Sequence, residues 1–165
     1  MNNIIDRLLI YPTNGNSFNE QLSNCLLQIK HRCEEKEATI LQQSFFISSK
    51  DNKEFAGLRR QIITSLANNQ SYKPSTSIIA QAPAYGHLVT VELILRRLDS
   101  HGKVRYNSYE EISYTIIESD YCKEVYAAGI SSYNTERDFT EQAEKAFALL
   151  MGILKAENLS FDTII

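Results

Sequence analysis

The sequence predicts an α+β protein, a mixed β-sheet with helices packed on one face. Apolar residues recur at helical spacing in three windows, 18–36, 52–68 and 139–156. Short β-branched and aromatic runs lie between these windows. The order β-α-β-α-β-β through residue 98, then three strands and a helix, alternates the two kinds of segment, as a helix-covered sheet requires. With 165 residues the chain is the size of one ordinary domain.

The first strand is "DRLLIYP" (6–12), followed by an Asn14-Gly15 turn signal. The first helix places Leu22, Cys25, Leu26, Ile29 and Cys33 on one stripe, with Ser17 or Asn19 as its cap and Glu20 or Gln21 in the first turn. "ATILQQSFFISS" (38–49) reads as a strand, and Asp51 opens a second helix with the stripe Phe55, Leu58, Ile62 and Leu66. A polar loop ending at Pro74 leads to "TSIIAQAP" and "HLVTVELILRRL", two strands joined by the Ala84-Tyr85-Gly86 turn. In the second of these, Val89, Val91, Leu93 and Leu95 share an apolar face, and the other face carries one acid, Glu92. After Ser100-His101-Gly102 come "KVRYNS", "EISYTIIES" and "KEVYAAGISS" as strands. A third helix follows, with the stripe Ala143, Ala146, Phe147, Leu150 and Leu154, and "LSFDTII" begins a last strand.

Apolar residues make up 43% of the chain, which supports a packed core, and the net charge of −3 gives no bulk attraction to nucleic acid. No run approaches a membrane span, and the apolar stretch at the N-terminus is broken by Asp6 and Arg7 without a basic leader or cleavage site. The three cysteines, Cys25, Cys33 and Cys122, have no metal-ligand spacing and read as reduced core residues of a cytoplasmic protein; no metal or cofactor is expected. His31, His87 and His101 read as surface residues, and the pairs Arg59-Arg60 and Arg96-Arg97 as dressing of polar faces. Tyrosines near turns, Tyr85 among them, are candidates to line a cleft.

Phe18-x-Glu20-Gln21 recurs as Phe139-x-Glu141-Gln142, each opening a helix after a strand. Overlaying the two helices matches their stripes position by position, so the expectation is a duplicated module: residues 1–100 as one copy and 103–165 as the start of a second, incomplete copy. Chance similarity of two amphipathic helices is the alternative. An incomplete copy implies a reading frame that continues past Ile165.

The run from "FNEQLSNCLLQIKHRC" through "FFISSKDNKEFAGLRRQI" to "KPSTSIIAQAPAYGHLVTVELILRR" resembles the RidA family, also called YjgF/UK114 or endoribonuclease L-PSP. The resemblance is carried by the Gln21 helix, the Phe-Ile-Ser strand end, the Glu54-Phe55 helix start, the Pro74-x-x-Ser77 strand and the Val-Glu92-Leu strand. It covers about 5–98 as a nearly whole module and about 110–165 as a partial one. It implies a sheet with two helices on one side, trimer-like association with clefts between subunits, and hydrolysis of reactive enamines and imines. That activity uses an Arg in a Pro-x-Arg-Ser strand to clamp a substrate carboxylate. Here Thr76 stands in the place of the Arg, Ile78 matches the family Cys, and Glu92 matches the family acid. Imine hydrolysis by the family route is therefore not expected.

Tandem RidA-like modules also resemble the chorismatase group, whose first module is degenerate. The expected function is a non-catalytic or degenerate N-terminal module of a larger tandem enzyme acting on chorismate or a similar small acid. The alternatives are a stand-alone enamine/imine deaminase and a small-ligand binding module. Expected partners are further copies of the chain or its own C-terminal module, and a small carboxylate near Glu92, Thr76 and Tyr85, with no nucleic acid and no membrane.

Overall fold

The computed structural model describes residues 5–98, 102–131 and 138–164. In chain order the elements are β1 (Ile5–Ile10), α1 (Phe18–Glu35), β2 (Ala38–Ile47), α2 (Asn52–Asn69), β3 (Ser75–Ile79), β4 (Val89–Arg97), β5 (Lys103–Tyr109), β6 (Ile112–Glu118), β7 (Lys123–Ala127) and α3 (Phe139–Ala156). Through α3 the order and types are those the apolar patterning predicts, with the third helix at its expected bounds.

All three helices start by the same chemistry. Ser17 caps α1 in a capping box with Glu20, Asp51 accepts from the Glu54 amide at 2.8 Å, and Asp138 accepts from the Glu141 amide at 2.9 Å. Each cap is followed three residues later by a glutamate suited to the positive end of the helix. The shared Phe-x-Glu-Gln opening is thus a variant of a start signal that α2 carries as well.

The strands form two sheets rather than one. The first has the order β1-β4-β2-β3, in which only the β2–β3 pair is parallel; the second is an antiparallel meander, β5-β6-β7. Helices α1 and α2 cover one face of the first sheet. They close a core of Leu22, Cys25, Ile29 and Ile62 over Phe45, Ile47 and the fully buried row Val89, Val91, Leu93 and Leu95. Helix α3 covers one face of the second sheet, where Leu149 and Ile153 pack on Ile112, Tyr114 and Ile116. The other face of β6 turns to β2 and β3, so the layers run helix, sheet, sheet, helix. Each sheet has its helices on one face, as expected, but the three helices do not share a single sheet.

Side-chain bonds cross the seam between the sheets. The Ser75 amide donates to Thr115 Oγ1 at 3.1 Å, and Tyr106 Oη bonds Thr39 and donates to the Ile40 carbonyl at 3.2 Å. The second sheet covers the even-numbered face of β4 at its far end, so Arg96, expected on a polar surface, is 1% exposed. Its paired neighbour Arg97 remains exposed.

Other expectations change for similar reasons. The buried face of α3 is Leu149, Gly152, Ile153 and Leu154, while Phe147 is 60% exposed. The predicted stripe of Ala143, Ala146, Phe147, Leu150 and Leu154 is met at Leu154, which is buried, and fails at Phe147, while Ala143, Ala146 and Leu150 are half-buried, so the position-by-position match to α1 extends only partly to what the two helices bury. Phe139 is 84% exposed where Phe18 is half-buried. "LSFDTII" forms a 3-10 turn at Phe161–Thr163 instead of a strand, with Phe161 tilted against Phe147 on the surface. Cys25 is buried and Cys33 half-buried, but Cys122 is exposed in the turn before β7 rather than in the core. His87 is half-buried against the ring of Tyr11, and His31 is a surface residue near Glu34. Residues 99–101, His101 among them, and Ile165 lie outside the described residues.

Candidate functional site

Thr76 lines the candidate site. Parallel pairing of β3 with β2 sets Thr76 beside Gln43, on the helix-covered side of the first sheet. Beyond it lies a cavity of about 340 Å³, closed by α2 on one side, the 70–74 segment above, and the start of β6 with Ala128 and Gly129 opposite. The volume falls in the range of small-molecule pockets, and its walls are mainly apolar: Ile63, Leu66, Ile78 and Ile112.

The polar end of the cavity is a linked set of side chains. Gln43 Nε2 donates to Thr76 Oγ1 at 3.0 Å and to Gln70 Oε1 at 3.3 Å, and Gln70 Nε2 returns a bond to Gln43 Oε1 at 3.1 Å. Thr76 Oγ1 donates its proton to the Pro74 carbonyl at 2.9 Å. A hydroxyl has one proton to give, and here the backbone takes it. Arg59, Lys73 and Glu111 are the charged residues of the lining. Tyr72, also in the lining, stacks on Tyr106 with centroids 4.6 Å apart. Burial pushes the Tyr72 phenol above its ordinary range, with the Cys33 thiol adding to the effect. Burial likewise raises Tyr106 to about 12.

Gly129 fits this wall because it has no side chain. Its φ is +68°, and an added Cβ would stand 2.6 Å from the Thr76 carbonyl oxygen. The segment after β7 thereby lies directly against the edge of β3.

The three residues expected at one site lie in three places. Glu92 pairs with Ser44 and Leu9, which puts it on the opposite face of the sheet from Gln43 and Thr76. Tyr85 is 89% exposed, with φ +60°, and packs edge-on to Tyr11 at 6.4 Å. Of the three, Thr76 alone lines the cavity. Sequence reasoning missed Gln43, Gln70, Arg59 and Ser113. They come from β2, α2 with its C-terminal cap, and β6, and their meeting is set by strand pairing and sheet stacking, which no linear motif records. Among the described residues no group of three His, Cys, Asp or Glu side chains is arranged to hold a metal, and no helix is long and apolar enough to cross a membrane.

No family model and no curated protein matches the chain. Solved structures similar to it include a member of the YjgF protein family from Neisseria meningitidis. It is 17% identical, with 56% of this chain and 78% of that chain covered and a TM-score of 0.43. A hypothetical protein from Giardia lamblia is 15% identical, over 54% of this chain and 76% of that one, also with a TM-score of 0.43.

Proposed function

We propose that the chain is a degenerate, non-hydrolytic RidA-like module, residues 1–100, followed by the start of a second module at 103–165. The observation that carries this reading is the state of Thr76. It takes the place of the clamping Arg, its proton goes to Pro74, and its oxygen accepts from Gln43. The hydroxyl has no charge to grip a carboxylate, and Glu92 points from the other face of the sheet. In this reading the module acts as scaffold and interface in a larger tandem enzyme acting on chorismate or a similar small acid, or assembles with further copies of itself. Its free thiols suit a cytoplasmic setting. The test is hydrolysis of 2-aminoacrylate by the purified chain. The expected rate equals that without protein; robust turnover would sustain the deaminase alternative and overturn this reading.

A second reading is favoured by the cavity itself: the module binds a small ligand beside Thr76 without transforming it. An apolar pocket with a few convergent polar groups is the usual form of such a site.

A further inference from the structure

We propose that α3 carries a second apolar stripe on which another copy of this chain packs, helix against helix and antiparallel; this names a surface for the self-assembly in the reading above and rests on that part of it. Phe139, Ala143 and Phe147 follow one another at four-residue spacing, so they share one face of the helix, and Leu150 continues it. Leu149 and Ile153, which pack on the second sheet, lie on a different face. Phe139 is 84% exposed and Phe147 60%, and Phe161, its ring 6.4 Å from that of Phe147, widens the patch. The matching stripe of α1 is covered: Leu22 and Ile29 are buried, and Phe18, Leu26 and Cys33 pack on the same core. An exposed apolar face of this extent marks an interaction surface.

The polar rim selects the occupant. Glu144 and Lys155 lie on the same flank of the stripe, about three turns apart, and among the described residues neither is ion-paired within the chain. In an antiparallel pair like flanks face each other. A two-fold axis passing between Ala148 and Leu149 sets Phe147 of one copy beside Leu150 of the other, and brings Glu144 of each within reach of Lys155 of the other. A parallel pair would set each charge against its own kind. Antiparallel packing also opposes the two helix dipoles. The exposed rings offer roughly 400–500 Å² of apolar surface per copy. At the apolar share usual for homodimers, the pair would bury about 1,400 Å² in total, within the range of specific interfaces. This contact differs from the trimer-like association that the resemblance implies, because it is made by a helix of the second half and leaves no cleft between sheets.

Sedimentation velocity of the full chain over a range of micromolar concentrations is expected to show a monomer–dimer equilibrium. Phe139→Asp and Phe147→Asp, both at exposed positions and each checked for an unchanged thermal melt, should weaken the dimer at least about tenfold. Glu144→Lys should weaken it about tenfold, because the two-fold axis repeats the repulsion, and adding Lys155→Glu should restore it. A chain that stays monomeric, or an assembly of any size indifferent to both Phe substitutions, overturns the proposal. A dimer that the double charge exchange fails to restore overturns the antiparallel pairing. Hydrolysis of 2-aminoacrylate is a separate readout, so a monomeric and inactive chain removes this proposal and leaves the non-hydrolytic reading standing.

Discussion

Glu157 sits just past α3 and is only 5% exposed, yet it carries a carboxylate. It lies at the negative end of the helix, where an acid is disfavoured, so its partners must offset both burial and dipole. Those partners come from all three strands of the second sheet. Tyr114 Oη donates at 2.9 Å, Asn107 Nδ2 at 3.3 Å, and Lys123 Nζ and Arg105 Nη2 lie at 3.6 and 3.5 Å. Glu157→Ala strands the Tyr114 hydroxyl in a site where the side chain is 1% exposed, a loss of about 1–2 kcal/mol. Lys123, three-quarters buried, loses a charged partner worth about 1 kcal/mol, and the half-exposed Arg105 contributes no more than about 0.5 kcal/mol after solvent screening. The total is about 3 kcal/mol, read as a lower urea midpoint at unchanged slope. Glu157→Gln keeps an oxygen for Tyr114 and should lose about 1 kcal/mol. An Ala variant within about 0.5 kcal/mol of the parent, in the range of ordinary surface substitutions, would show that α3 is held by Leu149 and Ile153 alone and that the polar lock is idle.

Alkaline stability should report the seam and the lock together. Burial raises Tyr106, Tyr114 and Tyr126 to about 12 from an ordinary value of 10.0. Above pH 10 the unfolded chain gives up these protons while the folded chain keeps them, so folding stability falls as pH rises from 10 towards 12. Denaturation followed across that range should show the decline, and a flat profile would contradict the burial of these rings. Gly129→Ala should destabilise by about 2 kcal/mol, from the positive φ and the close carbonyl, and should weaken any ligand bound in the cavity. Thermal melting and probe titration check the two effects separately, and an unchanged melt would mean that the segment after β7 relaxes without cost.

Periodicity carried much of the fold. The alternation in 88–95 separates the buried row Val89, Val91, Leu93 and Leu95 from its neighbours, and the helix windows fall within one residue of their observed bounds. Periodicity failed where a second layer decides. The even face of β4 reads as polar and hence exposed, but the second sheet covers part of it and buries Arg96. On α3 the contact face is organised around Gly152, which has no hydrophobic signal and matters by admitting the Tyr109 ring. Of the residues lining the candidate cavity, Thr76 was singled out by its place in a strand motif. Gln43 and Gln70 were not, because a buried amide pair joins β2 to the end of α2 across a distance in sequence that no pattern spans.

The two apolar clusters do not merge, and what lies between them is a layer of directional contacts made by Ser75, Thr115, Thr39 and Tyr106. Tyr72 of the first half stacks on Tyr106 of the second, with centroids 4.6 Å apart, so the seam also carries ring packing. Substitutions far from the seam on opposite flanks should therefore act independently, and those at the matched pairs of the seam should be felt jointly.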